Sequence, residues 1–237
     1  MSLRWQAVVI VAITGGVMGC ITVIDGASLA GCTGRGKEFT ESWQHTSPVA
    51  AEGVLTARTT NGDVTITPWD RPEVDLQVVK RVSGAKESDA AERLAEIAVD
   101  LKETDGGIKV VVRHPDGRGG LNYSADIIAR VPSGLTLDVE TTNGDINVAD
   151  ARAAVKVKSV NGDIGCAGAP NRIEAKTTNG DIDLTCNRLP VVVRGLQCHS
   201  VNGDVTVTLP SGAEFALDAA TVNGDVDNDF GVPVQGR

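Results

Sequence analysis

The stretch "KVKSVNGDIGCAGAPNRIEAKTTNGDIDL", residues 156–184, carries the triplet Asn-Gly-Asp twice, and the chain carries it six times in all. The copies are Asn61-Gly62-Asp63, Asn143-Gly144-Asp145, Asn161-Gly162-Asp163, Asn179-Gly180-Asp181, Asn202-Gly203-Asp204 and Asn223-Gly224-Asp225. Aligned on the Asn, the flanks fall into register. Six residues earlier stand Leu55, Leu137, Val155, Ile173, Leu196 and Leu217, and four earlier Ala57, Val139, Val157, Ala175, Cys198 and Ala219. Two earlier every copy has a hydroxyl, and three later each has Val or Ile. A period of two on either side of the triplet means a strand with one buried face, a turn, and a second such strand.

Repeats of this size cannot enclose a core singly, but a pile of them can. The expected fold is therefore mainly β: a parallel β-solenoid of 18 to 21 residue coils, each turning at its triplet, with equivalent inward residues building a continuous core. Asn-Gly is also the strongest two-residue hairpin signal, so stacked antiparallel hairpins are the alternative. Between the first two triplets, "KESDAAERLAEIAVDLKE" (86–103) places Leu94, Ile97, Ala98 and Leu101 at helical spacing, with Ser88 as N-cap. One inserted helix near 86–103 is expected to cover an end or edge of the sheet.

Composition narrows the function. Only 3% of the residues are aromatic, while the net charge of −9 opposes nucleic-acid binding, for which no Lys/Arg cluster is visible. Arg4 followed by the apolar run from Ala7 to Ile24 reads as an export signal. "LAGC", Leu29 to Cys32, resembles the lipobox of bacterial lipoproteins. Residues 1–31 are thus expected to form a lipoprotein signal peptide and Cys32 to be lipidated. "VMGC", ending at Cys20, is the alternative, and an uncleaved anchor helix is a third reading. Residues 32–53, polar and without periodicity, suit a flexible tether, which leaves 54–237 as the repeat domain. All three readings of the terminus place the domain outside the cytoplasm, and the expected location is membrane-anchored on the extracytoplasmic side, periplasmic or at the cell surface.

The repeated "TTNGDI" and "SVNGDI" units and "RVPSGLTLDVETTNGDINV" (130–148) resemble the bacterial β-strand-repeat, adhesin-labelled proteins of the DUF4097 group. The resemblance covers roughly residues 50–230. It implies a β-helix-like, envelope-exposed domain, often lipid-anchored, and no catalytic residues.

Among candidate sites, the carboxylates Asp63, Asp145, Asp163, Asp181, Asp204 and Asp225 would stack, and a hard cation such as Ca²⁺ would relieve their repulsion. The plainer reading has each Asp solvated or accepting backbone N–H bonds in its turn. The Gly-rich nonapeptide of calcium-binding repeats is missing, so no metal and no cofactor is expected. Cys166, Cys186 and Cys198 fall on inward positions and read as buried thiols, with a disulfide as the alternative. His45, His114 and His199 stand in no catalytic motif. The resulting expectation is a non-enzymatic, lipid-anchored envelope protein that binds an envelope protein or polysaccharide through a repetitive β surface. An accessory or sensory subunit of an envelope-stress system is a second expectation, and a polysaccharide-processing enzyme a third.

Overall fold

The computed structural model describes residues 22–24, 27–29, 38–50, 52–104, 106–115, 120–168, 171–186, 192–211 and 214–228. Its strands in chain order begin with β1 (Thr22–Ile24), β2 (Ala27–Leu29), β3 (Glu38–Pro48), β4 (Val54–Arg58), β5 (Val64–Trp69) and β6 (Glu73–Ser83). A short 3₁₀ turn (Glu87–Asp89) and helix α1 (Ala90–Ala95) lead to β7 (Ala98–Thr104), β8 (Gly107–Arg113) and β9 (Asn122–Pro132). The repeats supply β10 (Thr136–Glu140), β11 (Ile146–Ala151), β12 (Ala154–Lys158), β13 (Ile164–Gly168), β14 (Arg172–Lys176) and β15 (Ile182–Cys186). β16 (Val192–His199), β17 (Val205–Thr208), β18 (Glu214–Ala220) and β19 (Val226–Asn228) complete the set.

The strand before each triplet enters one sheet and the strand after it enters another. The first sheet runs β1-β2-β3-β6-β9-β5-β11-β13-β15-β17-β19 and the second β18-β16-β14-β12-β10-β4-β8-β7. Within the repeats every pairing is parallel and joins like to like, as in Leu137↔Val155, Val155↔Ile173 and Ile173↔Leu196. The six Asn residues are bridged in the same order.

Stacked hairpins are thereby excluded, and the backbone says why. A type I′ hairpin needs positive φ at both central residues. Here the six Gly residues have φ between +137° and +158°, while among the described residues the only non-Gly residue with positive φ is Asp150. The triplet turns the chain from one sheet into the other rather than back along itself.

Rows of equivalent side chains fill the space between the sheets. Leu55, Leu137, Val155, Ile173 and Leu196 from the second sheet, and Val64, Ile146, Ile164, Ile182 and Val205 from the first, are at most 2% exposed. Each such burial contributes about 1.5–3 kcal/mol. The rows fade only at the last rung, where Leu217, Ala219 and Val226 are partly buried. Successive triplets lie 18, 18, 23 and 21 residues apart from Asn143 onward, so one rung exceeds the expected range.

The stretch separating Asn61 from Asn143, 82 positions later, adds material beneath the first rung, so that these two triplets remain neighbours. β8 pairs with β4 and β9 with β5, both in parallel, which makes them one further rung. The register Val64↔Ile127 places Ser124, Ala125 and Asp126 where the next rung has Asn61, Gly62 and Asp63. This seventh, degenerate triplet carries no signature in the sequence because it lacks both Asn and Gly.

Three boundaries differ from those expected. The helix spans only Ala90–Ala95, Ser88 lies in the preceding 3₁₀ turn, and residues 98–104 are a strand antiparallel to β8. Leu101 stands four residues after Ile97 and two after Val99, so it fits either period, and pairing with β8 decides between them. The helix still plugs the core with Ala90 and Leu94, and Tyr123 Oη donates to Glu96 Oε2 just beyond its end (2.6 Å). Within the expected tether, residues 38–48 form strand β3, paired antiparallel with all of β6. Its alternate residues Phe39, Glu41, Trp43 and His45 lie opposite inward residues of β6, including Lys80, which is 8% exposed and paired with Glu41 at 3.2 Å. Most of the expected signal peptide, with Cys20 and Cys32, lies outside the described residues, and only the short antiparallel pair β1–β2 falls within it.

Candidate functional site

The triplets assemble into three parallel ladders along one edge of the sandwich. In the first, each Asn side-chain amide donates to the Asn Oδ1 of the rung before it: Asn143 to Asn61, Asn161 to Asn143, Asn179 to Asn161, Asn202 to Asn179 and Asn223 to Asn202, at 2.6–2.7 Å. In the second, each Asp backbone N–H donates to the preceding Asp Oδ1, from Asp145 on Asp63 (2.9 Å) to Asp225 on Asp204 (2.7 Å). In the third, the hydroxyls of Thr141, Ser159, Thr177, Ser200 and Thr221 donate to the preceding Gly carbonyl at 2.8–3.1 Å.

All three ladders run in one direction and all three are closed at their first rung. Thr59 donates to the Ala125 carbonyl, Asp63 N–H to Asp126 Oδ1 and Asn61 Nδ2 to the Tyr123 carbonyl. Asp126 is held in turn by Arg81. The glycines are fixed by proximity as well as by φ: a Cβ on Gly144, Gly162, Gly180, Gly203 or Gly224 would stand 2.1–2.3 Å from the preceding Gly carbonyl oxygen. No triplet lies beneath Ala125, so a methyl group is accommodated there.

The Asp row accordingly serves the backbone. Among the described residues no three His, Cys, Asp or Glu side chains are grouped to hold a metal ion. Cys166, Cys186 and Cys198 are buried free thiols, and burial pushes Cys166 and Cys198 up to about 12. The histidines are dispersed. His45 bonds Glu103 at 2.6 Å across the sandwich end and holds that carboxyl below its usual range. His114 is lowered by burial, and His199 lies 3.6 Å from Asp218 on the outer face.

That outer face of the second sheet is where equivalent side chains reach solvent in rows. Thr56, Asp138, Lys156, Glu174, Gln197 and Asp218 share one row, and Arg58, Glu140, Lys158, Lys176 and His199 the next. Arg58 bridges Asp138 and Glu140, and Glu174 sits between Lys156 (3.9 Å) and Lys176 (2.9 Å). Such exposed pairs each add about 0–1 kcal/mol, so their arrangement bears more on recognition than on stability. Among the described residues no helix is long and apolar enough to cross a membrane.

The sequence profile of the Toastrack DUF4097 family matches residues 55–235. Similar solved structures include a "putative adhesin" from Parabacteroides distasonis ATCC 8503, with 9% identity over 78% of this chain and 72% of that one at a TM-score of 0.48. A "putative cell adhesion protein" from Clostridium sporogenes ATCC 15579 has 8% identity, 78% and 97% coverage and a TM-score of 0.42. A "putative adhesin" from Bacteroides fragilis NCTC 9343 has 14% identity, 78% and 96% coverage and a TM-score of 0.37. No curated protein matches the chain.

Proposed function

Since the chain belongs to the Toastrack DUF4097 family, we propose that it is a non-enzymatic, adhesin-like envelope protein whose β-solenoid displays the second sheet's outer face to a polysaccharide or protein. The observation that carries this reading is the pair of outward rows on that face, in which charged and polar side chains recur strand after strand in unbroken parallel register. Surfaces of this kind suit extended ligands, because each rung offers an equivalent contact at the ~4.8 Å strand spacing. Lipidation of Cys32, or of Cys20, would hold the domain on the outer side of a membrane, since every buried CH₂ of the acyl chains contributes about 0.8 kcal/mol.

Two measurements test the proposal. Mass spectrometry of the protein extracted from bacterial membranes should find the acyl groups on Cys32, and a soluble unmodified chain would end the anchoring part. The full chain, immobilised and exposed to solubilised cell envelope, should retain one glycan or protein that a chain with Lys156, Lys158 and Arg172 all changed to Glu does not. Equal retention by both would remove the outer face from consideration.

A further inference from the structure

One arginine on the second sheet's outer face stands apart. Arg58, Arg71, Arg81, Arg93, Arg113, Arg130 and Arg152 each have a carboxylate within 4.0 Å. Arg172, exposed at the start of β14, has none among the described residues. The reason lies on the adjoining strands. Ala154 on β12 is directly paired with it, and on the other side stands Gly195 of β16, with nothing within 4 Å of where a side chain would begin. Two short residues therefore frame a hollow of about 460 Å³, lined by Ala154, Asn171, Arg172, Gly195 and Gln197.

The surroundings are positive in an acidic protein. On β12 and β14, Lys156, Lys158, Arg172 and Lys176 outnumber Glu174, and the carboxylates in register with Lys156 and Lys158 on β10, Asp138 and Glu140, both pair with Arg58, in a chain whose net charge is −9. Their field is felt by Glu174, whose carboxyl is held below its ordinary range by the hydrogen bond from Lys176 first and by the charges of Lys156 and Lys158 further on.

We propose that this hollow is a binding subsite for a carboxylate-bearing sugar of an acidic polysaccharide. The Arg172 guanidinium takes the carboxylate in a two-pronged contact, while the Asn171 and Gln197 amides, each both donor and acceptor, meet ring hydroxyls. Lys156 and Lys158 on the next strand meet the following carboxylate of the polymer. The lining argues for a sugar over a peptide or a membrane. Peptides are gripped through buried aromatic or aliphatic anchors and membranes through an inserted apolar edge, and the lining holds no aromatic or branched aliphatic side chain. The volume falls within the range of small-ligand sites. The proposal rests on the outer face being the binding surface and adds the class of ligand.

Calorimetric titration of the full chain with oligogalacturonate, alongside its methyl-esterified form, tests it. The free acid should bind at least tenfold more tightly than the ester, with affinity falling steeply as salt rises. Arg172→Gln should lose tenfold or more without moving the thermal midpoint, Arg172→Lys should recover only part, and Lys109→Gln, elsewhere on the sheet, should change nothing. Equal binding of acid and ester, or an unaffected Arg172→Gln, overturns the subsite. A chain that ignores oligogalacturonate yet retains envelope material overturns this inference and leaves the adhesion reading standing, whereas failure in both assays removes both.

Discussion

Replacing Gly162 by Ala tests the rung-to-rung ladders at one of their tightest points. The new Cβ would stand 2.1 Å from the Gly144 carbonyl oxygen, 2.5 Å from its carbon and 2.9 Å from Asp145 Oδ1, at a residue whose φ is +152°. Backbone strain of that kind costs about 1–3 kcal/mol. Relief requires the two rungs to part. Separation weakens the Ser159 hydroxyl bond to the Gly144 carbonyl (3.1 Å), the Asn161–Asn143 amide bond (2.7 Å) and the Asp163 N–H bond to Asp145 (2.8 Å), at about 0.5–1.5 kcal/mol each. Strain plus partial loss of three bonds comes to about 2–6 kcal/mol. Urea denaturation followed by circular dichroism should show the midpoint falling by about a molar or more, at m-values of about 1–3 kcal/mol/M. Gly195→Ala is the matched control, because nothing lies within 4 Å of its added Cβ, and its midpoint should stay put. If Gly162→Ala also keeps its midpoint, or if the two variants lose equally, the close approach of the rungs is not what demands glycine.

Asn179→Ala removes a donor to Asn161 and an acceptor from Asn202, whereas Asn223→Ala removes one contact, so thermal melts should give about 1–3 kcal/mol for the first and half that for the second. Cys166 and Cys198 should resist an aromatic disulfide reagent at pH 8 in the native chain and react at once in urea, since burial holds both near 12; fast native labelling of either would contradict the packing. The depressed carboxyl of Glu103 contributes stability that is present above its unfolded value and lost as pH falls through the lower folded one, so Glu103→Gln should flatten the acid limb of the stability curve below about pH 4.5, read by melts from pH 3 to 7. A chain beginning at residue 50 lacks β3 and uncovers the inward side chains of β6 near Phe39 and Trp43. It should bind a hydrophobic dye and melt broadly, where one beginning at residue 33 does not.

The repeats were legible because each rung imposes the same demands on the same positions: an inward aliphatic, a hydroxyl for the preceding carbonyl, a glycine beneath that carbonyl's twin. The capping region was less so, since its demands are met differently. β3 turns Glu41 and His45 inward, and their partners Lys80 and Glu103 are 39 and 58 residues away, so no apolar alternation marks it as a strand. The degenerate triplet at Ser124–Asp126 needs no glycine because no triplet lies beneath it, and the sign by which the others were found is therefore missing. The sequence alone leaves each Asp solvated or bound to a backbone N–H within its own turn, whereas each Oδ1 accepts the next rung's N–H, which only the strand register reveals. Arg172 was invisible as a site for a similar reason: its significance lies in two short residues on flanking strands.

The one-way hydrogen bonding of the ladders bears on how such a chain changes length over generations. Every rung donates to its predecessor and accepts from its successor through identical groups, so a rung can be spliced out between equivalent residues, Asp145 joined directly to Ile164, and its neighbours meet as if they had always been adjacent. The cap beneath Asn61 is untouched by such an event. The length of the sandwich is thus open to selection in whole-rung steps, each a single in-frame duplication or loss, without redesign of the core.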